Sequence, residues 1–148
     1  GESARMQGDA FSDNVNLTAR LEGLTKHYGV SIILSGQALA LLSAPECYRT
    51  RFLDRVIVKG RSEAIDIYQI IEGEPAAVIS QIEQTRATFE QGLLHYQSGD
   101  FLTAKSCFDE ILQQVPTDKT AKIYCDRLET LLHSPPEYWD GVWTLTEK

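Results

Sequence analysis

The chain has 148 residues, room for one ordinary domain or two small ones, and its 43% hydrophobic and 24% charged content is that of a globular protein. Twenty-one acidic against 14 basic residues leave a formal net charge of −7. That balance argues against a nucleic-acid polymer or an anionic membrane surface as partner, while a local basic pocket can still take a mononucleotide.

Residues 1–11 are polar and read as a loop or an edge strand. Ser12 or Asp13 can cap a helix, since a short side-chain oxygen accepts from the first free backbone N–H groups. Leu17, Leu21, Leu24 and Tyr28 then form one apolar stripe at helical spacing. Asn16, Arg20, Gly23 and His27 repeat that spacing on a neighbouring face, so Asn16 and Arg20 are expected one turn apart. An amide beside a planar guanidinium suits a ribose oxygen and a phosphate. On spacing alone the same pair is more often a solvated helix face.

Gly29 is a helix stop, and residues 30–34 are a β-branched apolar run expected to form a buried strand. Ser35 can cap a short helix over 36–42, and residues 43–46, with Pro45, read as a loop. Residues 48–58 (with Leu53, Val56 and Val58) and 64–71 are expected to pair as an antiparallel hairpin across a polar turn carrying Lys59 and Gly60. This order, helix, strand, helix, hairpin, predicts an α+β layer with an incomplete sheet.

Residues 72–75 mark a boundary, beyond which the periodicity is helical. Helices are expected over 76–97, 101–114 and, capped by Thr117 or Asp118, to about residue 133. Pro135 and Pro136 end the last one, and of the two tryptophans in the tail, Trp139 and Trp143, at least one is expected to dock on a neighbouring surface. Gly92, Tyr96, Gly99, Asp100, Phe101, Ala104, Phe108, Leu112 and Pro116 resemble one tetratricopeptide repeat. Small residues at 92 and 104 let two helices approach and Phe101 and Phe108 fill the seam, a need that any tight helical hairpin shares. A lone repeat is expected to lean on the preceding unit or on a partner.

Cys47, Cys107 and Cys125 are widely spaced and the three histidines form no ligand pattern, so metal ligation by these side chains is not expected. No apolar run has the length of a membrane span, and none is expected to contact a membrane. The chain opens on Gly1 and its single methionine is Met6. That fits a piece cut from a longer protein as well as loss of an initiator methionine.

The stretches GDAFSDNVNLTARLEGLTKHYGVSIILS and FLDRVIVKGRSEAIDIYQI closely resemble the C-terminal half of class III adenylate and guanylate cyclase catalytic domains. The likeness covers about residues 1–73, and two motifs, N-x-x-x-R and V-K-G-R-S-E, occur in the family's order. It implies a partial ferredoxin-like cyclase half-domain at 1–73 followed by an all-α, tetratricopeptide-like extension at 74–148. It also implies part of an adenylate cyclase, in which a ribose 3′-oxygen attacks the α-phosphate of ATP and pyrophosphate leaves.

By resemblance, Asn16 orients the ribose, Arg20 stabilises charge on the phosphates and Lys59 reaches the triphosphate. Asp9 stands where the family reads the base. A carboxylate accepts from adenine N6 and repels guanine O6, so Asp9 points to ATP. By composition alone Asp9 reads as a turn residue after Gly8, and Lys59-Gly60 as an ordinary exposed hairpin turn. The family's Mg²⁺- or Mn²⁺-binding aspartates belong to the N-terminal half of the domain, which is not in this sequence, and the lysine that partners the base-reading aspartate is also absent. Thr18 replaces a residue that is often small. The isolated chain is therefore expected to be inactive. The resemblance further implies a homodimer through the cyclase domain, a cytoplasmic location for this segment of a parent that could be membrane-anchored upstream, and a possible protein partner for the extension. The competing expectation is a non-catalytic dimerisation or protein-interaction module.

Overall fold

The computed structural model describes residues 21, 23–42 and 48–145. Helix α1 covers residues 23–28. Gly29, at φ +70°, turns the chain out of it, and the Val30 N–H closes back on the Thr25 carbonyl at 3.0 Å. A Cβ at residue 29 would stand 2.7 Å from the Lys119 side chain, so the position needs glycine for space as well as for φ.

Strand β1, Ile33–Ser35, runs into the short helix α2, Gly36–Ala40, whose Ala38 N–H is capped by the Ser35 hydroxyl at 3.1 Å. The apolar run from residue 30 contributes its first residues elsewhere. Val30 completes the α1 cap, the Ser31 N–H donates to Glu74, and the Ile32 carbonyl accepts the Ile70 N–H at 3.1 Å, so the strand itself begins at Ile33. Strands β2, Thr50–Ile57, and β3, Ile65–Ile70, form the expected antiparallel hairpin, and a 3-10 turn, Ile71–Gly73, follows. The described residues thus make an α+β structure with a small sheet of order β1-β3-β2-β4.

The hairpin is not regular. Phe52 faces Tyr68 and Asp54 faces Ile67, leaving Leu53 as an extra residue in β2. Alternation places Arg51 and Leu53 on the buried face. The bulge resets the period, and Asp54, Val56 and Val58 are buried after it. Two consecutive residues, Leu53 and Asp54, are therefore both fully buried.

Three helices follow: α3, Ala76–Ser98; α4, Phe101–Gln114; and α5, Lys119–His133. Gly99 (φ +89°) ends α3, Asp100 caps α4 and Asp118 caps α5. At Gly92 a Cβ would lie 2.9 Å from the Phe108 ring, which is why α3 can approach α4 so closely there. Phe108 stacks on Tyr124 with ring centres 4.6 Å apart, and Phe89 meets both edge-on.

Helix α5 serves two cores. Tyr124, Leu128 and Leu131 pack with Phe108 and Tyr96 of the helical part, while Ile123 packs against the cluster of Leu21, Tyr28, Leu53, Val56 and Ile67 on the sheet. The tail then returns to the sheet. The Trp139 indole N–H donates to the Tyr96 carbonyl at 2.6 Å and its ring meets Tyr96 and Phe101 edge-on. Strand β4, Trp143–Thr144, pairs in parallel with Val56 and Ile57, and so covers an edge of β2 that would otherwise be open. Both tryptophans dock, and this fourth strand was not expected from the sequence.

Candidate functional site

Of the residues singled out by sequence, Asp9, Asn16 and Arg20 lie outside the described residues. Lys59 is described. It is exposed in the turn between β2 and β3, where Val58 is buried, Gly60 takes φ +85°, and the Arg61 N–H donates to the Val58 carbonyl at 3.0 Å. The amine thus stands on a closed turn anchored by a buried strand residue. Two further members of the helical face assigned to Asn16 and Arg20 are also described. Gly23 and His27 are both exposed, and a Cβ at Gly23 would meet nothing within 4 Å. The neighbouring apolar stripe is buried at Leu21 and Tyr28.

What holds this helix end and β2 is a buried polar cluster. The bulge turns the Asp54 carboxylate inward, where Arg127 Nη1 of α5 lies 2.6 Å from Oδ2, the two side chains being 5% and 1% exposed. The Tyr28 hydroxyl donates to the same oxygen at 2.6 Å, and Arg127 Nη2 donates to that hydroxyl at 3.4 Å. The Tyr124 hydroxyl donates to the Leu53 carbonyl and lies 3.2 Å from Asp54 Oδ1, which also accepts the Arg55 N–H at 2.9 Å. Burial pushes the Asp54 carboxyl up from its ordinary value, against the Arg127 charge and the hydrogen bonds from Tyr28, Arg127 and Tyr124. Burial opposes the charge on Arg127 as well, but Asp54 and the surrounding tyrosines outweigh it and hold the guanidinium protonated. Burial raises the Tyr28 and Tyr124 phenols, so both stay neutral donors.

A second tie crosses between sheet and helices. Arg51, 8% exposed, meets Asp118 at 3.0 Å and stacks over Phe89 at 3.9 Å. A pocket of about 90 Å³ opens beside it, lined in part by Tyr28, Gln69, Glu74, Asp118 and Lys119. Another, also about 90 Å³, lies towards Phe52, Arg86 and Glu90. Small-molecule sites run to roughly 300 Å³ or more. Neither pocket has room for a nucleotide.

Among the described residues no group of three or more His, Cys, Asp or Glu side chains could hold a metal ion. These residues do not fit the metal that the resemblance implies. Among the same residues no helix is long and apolar enough to cross a membrane.

Sequence reasoning passed over the Asp54 cluster, although two signals were present. The apolar positions Leu53, Val56 and Val58 break the two-residue period, as a bulge does. On α5, Arg127 shares the face of Tyr124, Leu128 and Leu131, so a cation stands on an apolar stripe and needs a buried anion.

Three relatives match the chain. It is 33% identical over 135 residues to a terminal-differentiation specific adenylate cyclase of Dictyostelium discoideum, a similarity covering 86% of this chain. It is 39% identical over 71 residues both to an adenylate cyclase of Anabaena cylindrica, covering 47% of the chain, and to adenylate cyclase 1 of Rhizobium meliloti (strain 1021), covering 48%. The chain spans only 6%, 14% and 10% of the lengths of these three proteins. No family model and no solved structure matches. The Dictyostelium similarity, at 86% of the chain, takes in helical extension as well as cyclase-like sequence. Over these stretches the chain is similar in sequence to part of each of these adenylate cyclases.

Proposed function

We propose that this cyclase-domain fragment is part of a class III adenylate cyclase that converts ATP to 3′,5′-cyclic AMP and pyrophosphate. One observation carries the reading: the similarity to three adenylate cyclases at 33–39% identity. In the reaction the ribose 3′-oxygen loses its proton and bonds to the α-phosphorus as the bond to the bridging oxygen of pyrophosphate breaks. The protein's work is positioning and charge stabilisation. Asn16 orients the ribose, Arg20 stabilises the charge building on the phosphates, Asp9 accepts from adenine N6, and Lys59 reaches the triphosphate. An exposed amine on a closed turn at Lys59, and an open helix face at Gly23 and His27, support these roles.

In this reading residues 1–73 are the C-terminal half of a ferredoxin-like cyclase domain and residues 74–148 a tetratricopeptide-like extension that can take a protein partner. The enzyme is a cytoplasmic homodimer with a composite site. The Mg²⁺ or Mn²⁺ ligands come from the half of the domain upstream of this sequence, so the isolated chain is inactive.

The test restores the native upstream sequence and follows ATP conversion to cyclic AMP with Mg²⁺ or Mn²⁺, beside Arg20→Ala. Activity that falls by about 10²-fold or more in the variant is expected for a group acting on transition-state charge. A folded, restored protein without activity would overturn the reading.

A further inference from the structure

We propose that Arg127, in the helical part of the chain, is a positioning residue for the cyclase site, acting through Asp54 and Tyr28. The inference rests on the cyclase reading and adds to it. Three elements distant in sequence meet at one carboxylate: β2 through Asp54, α1 through the Tyr28 hydroxyl, and α5 through Arg127. Two of them lead to residues assigned to catalysis. Segment 23–28 continues the stretch that carries Asn16 and Arg20 in sequence, and β2 runs by way of buried Val56 and Val58 to Lys59.

The same end of α1 is gripped a second time. Thr120 Oγ1 donates to the Tyr28 carbonyl at 3.0 Å, and the Lys119 ammonium lies 3.5 Å from the Lys26 carbonyl. A cation at the carbonyl end of a helix is favoured by the helix dipole. The first turn and the middle of α5 thus hold both the last turn of α1 and its relation to β2.

A buried ion pair is a poor way to gain stability alone, because apolar side chains of similar volume often do as well or better. What it provides is direction. A guanidinium whose Nη1 lies against the carboxylate and whose Nη2 donates to the phenol bonded to that same carboxylate favours one arrangement of the three elements, where apolar contacts tolerate small slides. A misplacement of about 1 Å in catalytic groups costs about 10²-fold in rate. The extension is therefore built into the geometry of the site.

The experiment uses the full-length protein: wild type, Tyr28→Phe, Arg127→Met, Arg127→Lys, and Lys122→Ala as control on an exposed position of α5. The expected result is a fall in kcat of about 10-fold or more for Tyr28→Phe and Arg127→Met, with KM for ATP within about two-fold. Arg127→Lys recovers part of the loss, and Lys122→Ala matches wild type. Folded Tyr28→Phe or Arg127→Met with wild-type kcat, or a change in KM alone, overturns the proposal. If Arg127→Met does not fold, Tyr28→Phe reads the same link with one oxygen removed. An inactive wild type refutes the cyclase reading instead. The link is then read by amide hydrogen exchange over residues 23–28, where faster exchange in Tyr28→Phe supports it and unchanged exchange overturns it.

Discussion

The Arg127 guanidinium lies over the ring of Trp143, 4.7 Å from its centre, so the tail covers the buried ion pair. Trp143 also pairs with Val56 as the first residue of β4, and the Leu145 N–H extends that pairing to the Ile57 carbonyl at 2.9 Å. One residue therefore seals both a strand edge and a charged cluster. Trp143→Ala is expected to destabilise the protein by about 3 kcal/mol, the low end for removing a large aromatic that is only half buried. Urea unfolding followed by circular dichroism measures it. A loss under about 0.5 kcal/mol would place Trp143 among ordinary surface positions.

Removing one member of the Asp54–Arg127 pair leaves the other charge buried without its partner. Asp54→Leu and Arg127→Met are each expected to cost about 3–5 kcal/mol. The double variant is expected to be more stable than either single one, because no buried charge is left over. A double-mutant cycle by urea denaturation gives the coupling directly. Additive losses would mean that the two side chains act independently despite their 2.6 Å contact.

At the surface, Glu72 accepts both the Arg49 backbone N–H and Nε, each at 2.8 Å. The side-chain hydrogen bond from Arg49 holds the Glu72 carboxyl below its ordinary 4.5. A carboxyl lowered on folding binds fewer protons in the native than in the unfolded state. Its contribution is thus present above pH 4.5 and lost as the pH falls through the native value. The gap in urea midpoint between wild type and Glu72→Gln is expected to be open at pH 7 and to close in acid. A gap independent of pH would show that the charge contributes nothing.

The Cys125 thiol is buried and donates to Asp109 Oδ1 at 3.2 Å. Burial, reinforced by that carboxylate, pushes the thiol up to about 12. Since the thiolate is the reactive form, iodoacetamide at pH 8 is expected to leave Cys125 unmodified in the native protein and to alkylate it in 8 M urea (a concentration of roughly the size that unfolds small domains). Peptide mass spectrometry distinguishes the two. Rapid labelling without denaturant would show that the site opens readily.

Much of the fold can be read locally. Ser35, Asp100 and Asp118 cap the helices that the pattern predicts, and Gly29 and Gly99 stop the helices before them, because capping and left-handed turns involve residues within about five positions of each other. The β2–β3 hairpin is local in the same sense, with Lys59 and Gly60 in its turn. The Asn16 and Arg20 motif is a spacing in the sequence, and both residues lie outside the described residues. Strand β4 is not legible, since two residues carry no period and Trp143 pairs with a strand far upstream.

By itself, then, the sequence determined the helices, their ends, the hairpin and the family likeness. These depend on neighbours along the chain. Only the tertiary structure decided that the bulge at Leu53 turns Asp54 into the core, that Arg127 of α5 is the charge it meets, and that the tail seals them. A buried charge is costly unless its counter-charge arrives with it. That condition joins positions far apart in the chain, and it is met when three separately formed elements pack.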